Sequence, residues 1–338
     1  MDCSRLNTNK DVCMSVVVPV YNVGSYLGRC IDSLTAAEGI EKTEIILVDD
    51  GSTDESGSIA DSYAERYEFI SCYHKQNGGL SDARNYGLKK ASGTYVFFCD
   101  SDDMVIPDAF SDLIRTVLES SADVIMFDGL TVGEEDNISD SGYGVLLGHS
   151  GLDQDSEMTG LNAMLSQIKD HGRFAVTAWL AACRREYLLD NGLLFEPGLV
   201  HEDELWTPQV FAGAAKVKYL PEKVYCYRLR ANSIMSGSSE YRERHADAMV
   251  HVMNLLYAFY SEKIKNADDS KALLSHWSGK YLWVLLSYEV YRYDCRKEVP
   301  RRRIWACSRG IKGKIKGMIL SVFGVKAFCR LFRSGHTV

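Results

Sequence analysis

Short apolar runs alternate with helical spacing of hydrophobic side chains through the first 128 residues. Ser15–Val20 is rich in β-branched residues and predicts a strand, followed by a helix carrying Tyr26, Leu27, Cys30, Ile31 and Leu34 on one face. Glu44–Val48 predicts a second strand, ending on Asp49-Asp50. Ile59, Ala60, Tyr63 and Ala64 then predict a helix over Ser56–Tyr67. Phe69–Tyr73 predicts a third strand, and a helix capped by Ser81 runs to about Lys90. Tyr95–Cys99 has the unbroken apolar character of a buried strand, Pro107 suits the first turn of the next helix, and Val124–Phe127 predicts a further strand. Repeated β-α-β units imply an α/β fold, a largely parallel sheet flanked by helices.

Gly129 to Glu157 is polar and reads as a variable loop or insertion. From about Met158 to Arg230 helices and short strands return, with strands expected at Val217–Leu220 and Val224–Tyr227. Beyond Tyr241 the periodicity is helical, through His251–Tyr260 and Ala272–Arg292. The organisation expected is one domain over 1–235 (halves 1–128 and 158–235), a helical section over 236–295 and a basic tail over 296–338.

With 338 residues, 46% hydrophobic and 25% charged, the chain has the profile of a globular protein. Disorder, collagen and coiled coil are excluded. The net charge of −8 argues against nucleic acid as a partner, but it conceals an asymmetry. From Arg296 onward there are twelve Lys or Arg and one acid, a charge of +11, while the preceding 295 residues carry −19. Ten cysteines form no C-x-x-C pair and suggest neither a disulfide framework nor zinc ligation, so a reducing cytoplasm is expected. Val12–Gly28 lacks a signal-peptide cleavage pattern, and Gly317–Val325 is too short to span a bilayer.

Ligands of open parallel sheets bind beyond the carboxyl ends of the strands. Two acidic clusters end predicted strands: Asp49-Asp50-Gly51-Ser52-Thr53-Asp54 and Asp100-Ser101-Asp102-Asp103. A third, His201-Glu202-Asp203-Glu204, precedes an apolar helical run. Alternating carboxylates offer hard oxygen ligands to Mg²⁺ or Mn²⁺; a solvated turn with a helix cap is the other reading of Asp100–Asp103. His201 invites a metal reading, but position 205 is Leu, so H-E-x-x-H fails and a structural role is favoured.

The segments Ser15-Val-Val-Val-Pro-Val-Tyr-Asn22, Ile46-Leu-Val-Asp-Asp-Gly-Ser-Thr-Asp54, Asn77-Gly-Gly-Leu-Ser-Asp-Ala-Arg-Asn-Tyr-Gly87 and Phe98-Cys-Asp-Ser-Asp-Asp103 occur in this order. Together they closely resemble family 2 glycosyltransferases, inverting nucleotide-sugar enzymes of GT-A fold, over roughly residues 14 to 235. The resemblance implies that Pro19 and Tyr21 line a uracil pocket and that Asp50, with Asp49 beside it, reads the base. It places Arg84 near the nucleotide, a helix-surface salt bridge being the other reading. Asp100 and Asp102 match the D-x-D pair, Asp102 as direct metal ligand and Asp100 nearer ribose and sugar, with Asp103 assigned to capping the next helix. Glu202-Asp203 matches the catalytic pair, Asp203 as general base and Glu202 orienting the acceptor or the base. Arg228, Arg230 and Ser233 suit a diphosphate, with a sheet-edge role as the alternative. One departure is Trp179-Leu-Ala-Ala, where relatives often carry W-x-K-L. Trp179 and Trp206 are candidates to stack on sugars, core packing being favoured for Trp179.

The resemblance further implies a UDP-sugar donor, Mn²⁺ or Mg²⁺, and a lipid-linked saccharide acceptor in surface polysaccharide assembly. A catalytically silent nucleotide-sugar-binding scaffold is the alternative. In the tail, Ile304, Ile311, Ile315, Met318, Ile319 and Val322 recur among basic residues, as in an amphipathic element for an anionic membrane surface. Packing on the acidic body is the competing reading, and four glycines suggest ordering only on binding. A cytoplasmic protein peripheral to the inner face of the plasma membrane is expected.

Overall fold

The computed structural model describes residues 12–133, 158–229 and 239–332. In chain order they begin with β1 (Met14–Val20), α1 (Gly24–Thr35), β2 (Thr43–Asp49), α2 (Ser56–Arg66) and β3 (Ile70–His74). Then come α3 (Leu80–Lys90), β4 (Tyr95–Phe98), β5 (Met104–Val105), α4 (Pro107–Glu119) and β6 (Val124–Val132). After the undescribed stretch follow α5 (Gly160–His171), β7 (Ala181–Arg184), α6 (Arg185–Asp190), α7 (Asp203–Gly213) and β8 (Val217–Arg228). The remainder is helical: α8 (Ser239–Lys263), α9 (Ala267–Ser287), α10 (Arg301–Cys307) and α11 (Gly310–Phe332).

These residues divide into two compact units, one of 12–133, 158–159, 178–198 and 214–229, the other of 160–177, 199–213 and 239–332. The first holds a single sheet in the order β3-β2-β1-β4-β7-β6-β8-β5. β1–β2, β1–β4, β2–β3 and β6–β8 run parallel, whereas β4–β7, β6–β7 and β5–β8 are antiparallel. β1 is buried along its whole length, as its apolar run requires. Pro19 fits there because Val17 O accepts from Cys99 N, so Pro19, two residues on, also faces the β4 side, where the strand has already ended at Phe98. Its missing N–H costs no ladder bond. Phe97 centres the core, its ring 5.8 Å from Phe110 and 5.7 Å from Phe127. α3 lies close on β1 at Gly87, where a Cβ would come within 2.3 Å of Val17 Cγ1.

Several elements differ from the sequence expectation. β6 runs on to Val132, into the stretch read as loop, because it gains a parallel partner in β8. The two strands expected at 217–227 are one strand, β8, whose pairing with β6 shifts register at Phe127/Asp128 and Asp128/Gly129. Ser81 does not cap α3: Gly79 occupies the N-cap position and Ser81 is buried inside the helix.

The second unit contains α5 and α7–α11. Trp277 anchors it, donating from Nε1 to Met253 O at 2.6 Å. The described part of the tail is mostly helical despite its glycines, interrupted between α10 and α11 and again inside α11 at Gly324 (φ 80°), and Ile304, Leu320 and Phe328 are buried. No described helix is long and apolar enough to cross a membrane.

Candidate active site

The parallel strands deliver their chemistry to one edge of the sheet. β1 ends at Val20 before Tyr21, β2 at Asp49 before Asp50, and β4 at Phe98 before Asp100. β1 has β2 on one side and β4 on the other, so chain direction across the sheet reverses its order here, where parallel α/β sheets open a crevice.

Tyr21 is half exposed (50%) at the mouth of this edge, while Pro19 closes the strand behind it. The β1–α1 and β2–α2 loops are stitched together: Asn22 N donates to Ser52 Oγ (3.1 Å), Val23 N to Ser56 Oγ (2.8 Å) and Gly24 N to Asp54 Oδ2 (3.0 Å). Asp50 is buried, and its carboxylate accepts from Gly78 N (2.9 Å), Gly79 N (2.7 Å) and the Lys75 ammonium. Lys75 also pairs with Asp82 at 2.6 Å. Asp49 accepts from Ser52 N (3.0 Å) and bonds His74 Nδ1 (2.8 Å). Burial alone would raise its pKa, but the hydrogen bonds from Ser52 and His74 overcome that and hold it low. His74 is raised by its bonds to Asp49 and Asp61.

Arg84 is buried, which removes the helix-surface reading; its guanidinium donates to Asp100 Oδ1 at 2.6 Å and lies 5.1 Å from the Phe195 ring centroid. Asn85, next in the motif, clamps the Phe195 backbone through Nδ2 to O (2.7 Å) and Oδ1 from N (2.9 Å). Asp100 and Asp102 are half-buried. Asp103 caps nothing, since α4 starts from Ile106 without a side-chain cap. Its two carboxyl oxygens instead accept from Tyr225 O–H (2.7 Å) and Arg228 N (2.8 Å), fastening β8 to the acidic loop. Burial first, then the charges of Asp102 and Asp100, push its pKa well above the usual carboxylate range. Arg228 is buried, its Nε donating to Asp102 O at 2.9 Å. Arg230 and Ser233 lie outside the described residues. Trp179 is buried and stacks on Tyr225 at 4.2 Å, the core role expected of it. Ala181, where relatives carry Lys, is buried in β7.

In the second unit, Asp203 opens α7 and its Oδ1 accepts from Glu204 N at 2.9 Å, at the helix end that favours negative charge. Glu202 is buried, and Glu204 pairs with Lys280. His201 adopts a left-handed backbone (φ 62°), and its Nε2 lies 2.8 Å from His245 Nδ1. Burial lowers the pKa of His201; burial, His201 and Arg244 take His245 down to about 4. Trp206 is buried, so it packs in this unit rather than offering a face to a sugar.

The family model "Glycosyl transferase family 2" matches residues 15–190. The uncharacterized glycosyltransferase YibD of Escherichia coli K12 is 31% identical over 76% of this chain and 74% of its own length. The chain belongs to glycosyltransferase family 2. Like other family 2 glycosyltransferases it has the GT-A fold. The Staphylococcus aureus TarS fragment 1–349 in complex with UDP-GlcNAc superposes with a TM-score of 0.71 at 22% identity, covering 96% of this chain and 92% of that one. A Pyrobaculum calidifontis mannosyltransferase in complex with GDP-Man and Mn²⁺ gives 0.55 at 16% identity, covering 95% and 83%.

Lys75, Asn85 and Tyr225 were not singled out from the family 2 motifs. The only local signal for Lys75 is its position just before Asn77-Gly-Gly. Tyr225 gave none. Of the acidic loop, Asp100 and Asp102 fit a hard divalent cation, since both are half-buried carboxylates, whereas both oxygens of Asp103 are engaged by Tyr225 and Arg228.

Proposed function

We propose that this glycosyltransferase moves a sugar, with inversion, from a UDP-sugar to a lipid-linked saccharide acceptor in surface polysaccharide assembly. The observation that carries the reading is the convergence of Tyr21, Asp49-Asp50 and the Arg84–Asp100 pair at the carboxyl edge of β1, β2 and β4. Tyr21 offers a ring to the base, and Asp50 one further lone-pair site to a base N–H. Asp100 and Asp102 would hold Mn²⁺ or Mg²⁺, which supplies charge neutralisation for the leaving diphosphate. UDP as the nucleotide is supported by the TarS complex, and a divalent metal by the Mn²⁺-bound mannosyltransferase.

Asp203 acts as general base. It removes the acceptor hydroxyl proton as that oxygen bonds C1 and the bond from C1 to the diphosphate breaks, the electron pair leaving with the nucleotide. The start of α7 is the helix end that favours negative charge, and the Glu204 N–H orients the carboxylate. Asp203→Asn should lower transfer by about a hundredfold or more while UDP binding by calorimetry is retained. Unchanged transfer removes Asp203 from the reaction.

The tail supports membrane attachment. Ile311, Ile315, Met318 and Val322 are exposed at positions that line one face of α11, with Lys312, Lys314 and Lys326 exposed beside them. This segregation suits the interface of an anionic bilayer.

A further inference from the structure

A cluster outside the acidic loop has a different chemistry. Cys72 and His74 alternate along β3, at the edge of the sheet, and so project to one face of it. Asp61 comes from α2. One ligand atom from each of Asp61, Cys72 and His74 lies within 4.8 Å of the other two.

We propose that Asp61, Cys72 and His74 form a binding site for a borderline-soft divalent cation, Zn²⁺ in the first instance, separate from the D-x-D site. Zinc–sulfur and zinc–nitrogen bonds at a tetrahedral angle put the two ligand atoms about 3.6 Å apart. Cys72 Sγ and His74 Nε2 are 3.6 Å apart. His74 Nε2 and Asp61 Oδ1 are 2.9 Å apart, and a shared zinc would open them to about 3.4 Å. Asp61 can make that change because its side chain is exposed on the helix surface. The other imidazole nitrogen, Nδ1, bonds Asp49 Oδ2 at 2.8 Å. A carboxylate on the far nitrogen fixes the tautomer that turns Nε2 toward a metal, the arrangement commonly found behind zinc-bound histidines. The thiol and imidazole distinguish this set from the all-oxygen set at Asp100 and Asp102, which suits a harder ion. Three protein ligands leave the fourth position to water, as in an exchangeable site. When the metal binds, the Cys72 thiol proton and the His74 Nε2 proton held against Asp61 both go to solvent, while Nδ1 keeps its proton toward Asp49.

The inference is independent of the donor and acceptor proposed above, and its test reads the metal rather than the activity. Cobalt chloride is titrated into the reduced full chain while near-ultraviolet and visible absorption are recorded. The expected result is a thiolate-to-cobalt charge-transfer band saturating at about one equivalent, with visible bands of tetrahedral intensity, all reversed by Zn²⁺. Cys72→Ser should abolish the charge-transfer band. Asp61→Ala, an exposed change that leaves the fold intact, should weaken cobalt binding about tenfold or more. Asp102→Asn should leave the band unchanged. Absence of the band in the wild-type protein, its survival in Cys72→Ser, or undiminished affinity in Asp61→Ala would each overturn the proposal.

Discussion

Asp50 shows how much of a buried carboxylate is spent on holding its own surroundings. Three donors reach it, two from the backbone of the Gly78-Gly79 turn and one from Lys75, so the acid proposed to meet the nucleotide is also the anchor of the loop leading into α3. Lys75→Met should therefore leave a buried carboxylate with two neutral donors, destabilising the protein by about 3 kcal/mol in urea titration and weakening UDP binding. The His201–His245 pair gives a pH dependence of definite sign. In the unfolded chain both histidines take up protons near pH 6.5, whereas burial holds both lower in the folded protein, His245 at about 4. The unfolded state thus binds more protons between those values. The pair's contribution is complete above about pH 6.5 and is lost as pH falls toward about 4. Melting temperature followed across that range should fall steadily, and His245→Gln should flatten part of the slope.

Elements depend on closer fits than residue type reveals. α3 approaches β1 through Gly87, so Gly87→Ala forces a methyl group against Val17 and should cost about 1–3 kcal/mol, seen as an earlier urea midpoint with unchanged slope. β1, β2, α2, β3 and α4 were legible in the sequence because each has its own periodicity and a nearby stop signal. β5 and β7 were not: β5 is two residues long and exists through pairing with β8, and β7 fills a place between β4 and β6 that no local pattern announces. The site divides the same way. Asp50, Asp100 and Asp102 stand in compact acidic runs at strand ends. Their supports come from elsewhere, Lys75 from 25 residues beyond Asp50 and Tyr225 from 122 residues beyond Asp103. Such pairings are made by the sheet order, which local spacing does not encode.

Across the whole molecule, a net charge of −8 hides an acidic body and a basic tail. Both readings of that tail have a counterpart in α11: Leu320 and Phe328 are buried in the second unit, while Ile311 is 82% and Phe323 68% exposed. Removing residues 296–338 would therefore strip packed side chains along with the charges. Replacing Lys312, Lys314 and Lys326 with Glu changes exposed positions only. It should reduce sedimentation with phosphatidylserine vesicles by more than tenfold, each basic residue contributing about 1 kcal/mol near the surface, while the melting temperature stays within error. Equal sedimentation of the charge-reversed protein would remove the membrane from this account. On the proposed membrane attachment, the separation of lysines from the apolar stripe on α11 would also divide the timing of capture. Charge acts at a distance and is screened beyond about 8 Å at physiological ionic strength, so added salt should slow arrival at the bilayer. The stripe acts only on contact, so the rate of departure should follow Ile311, Ile315 and Val322 and hardly respond to salt.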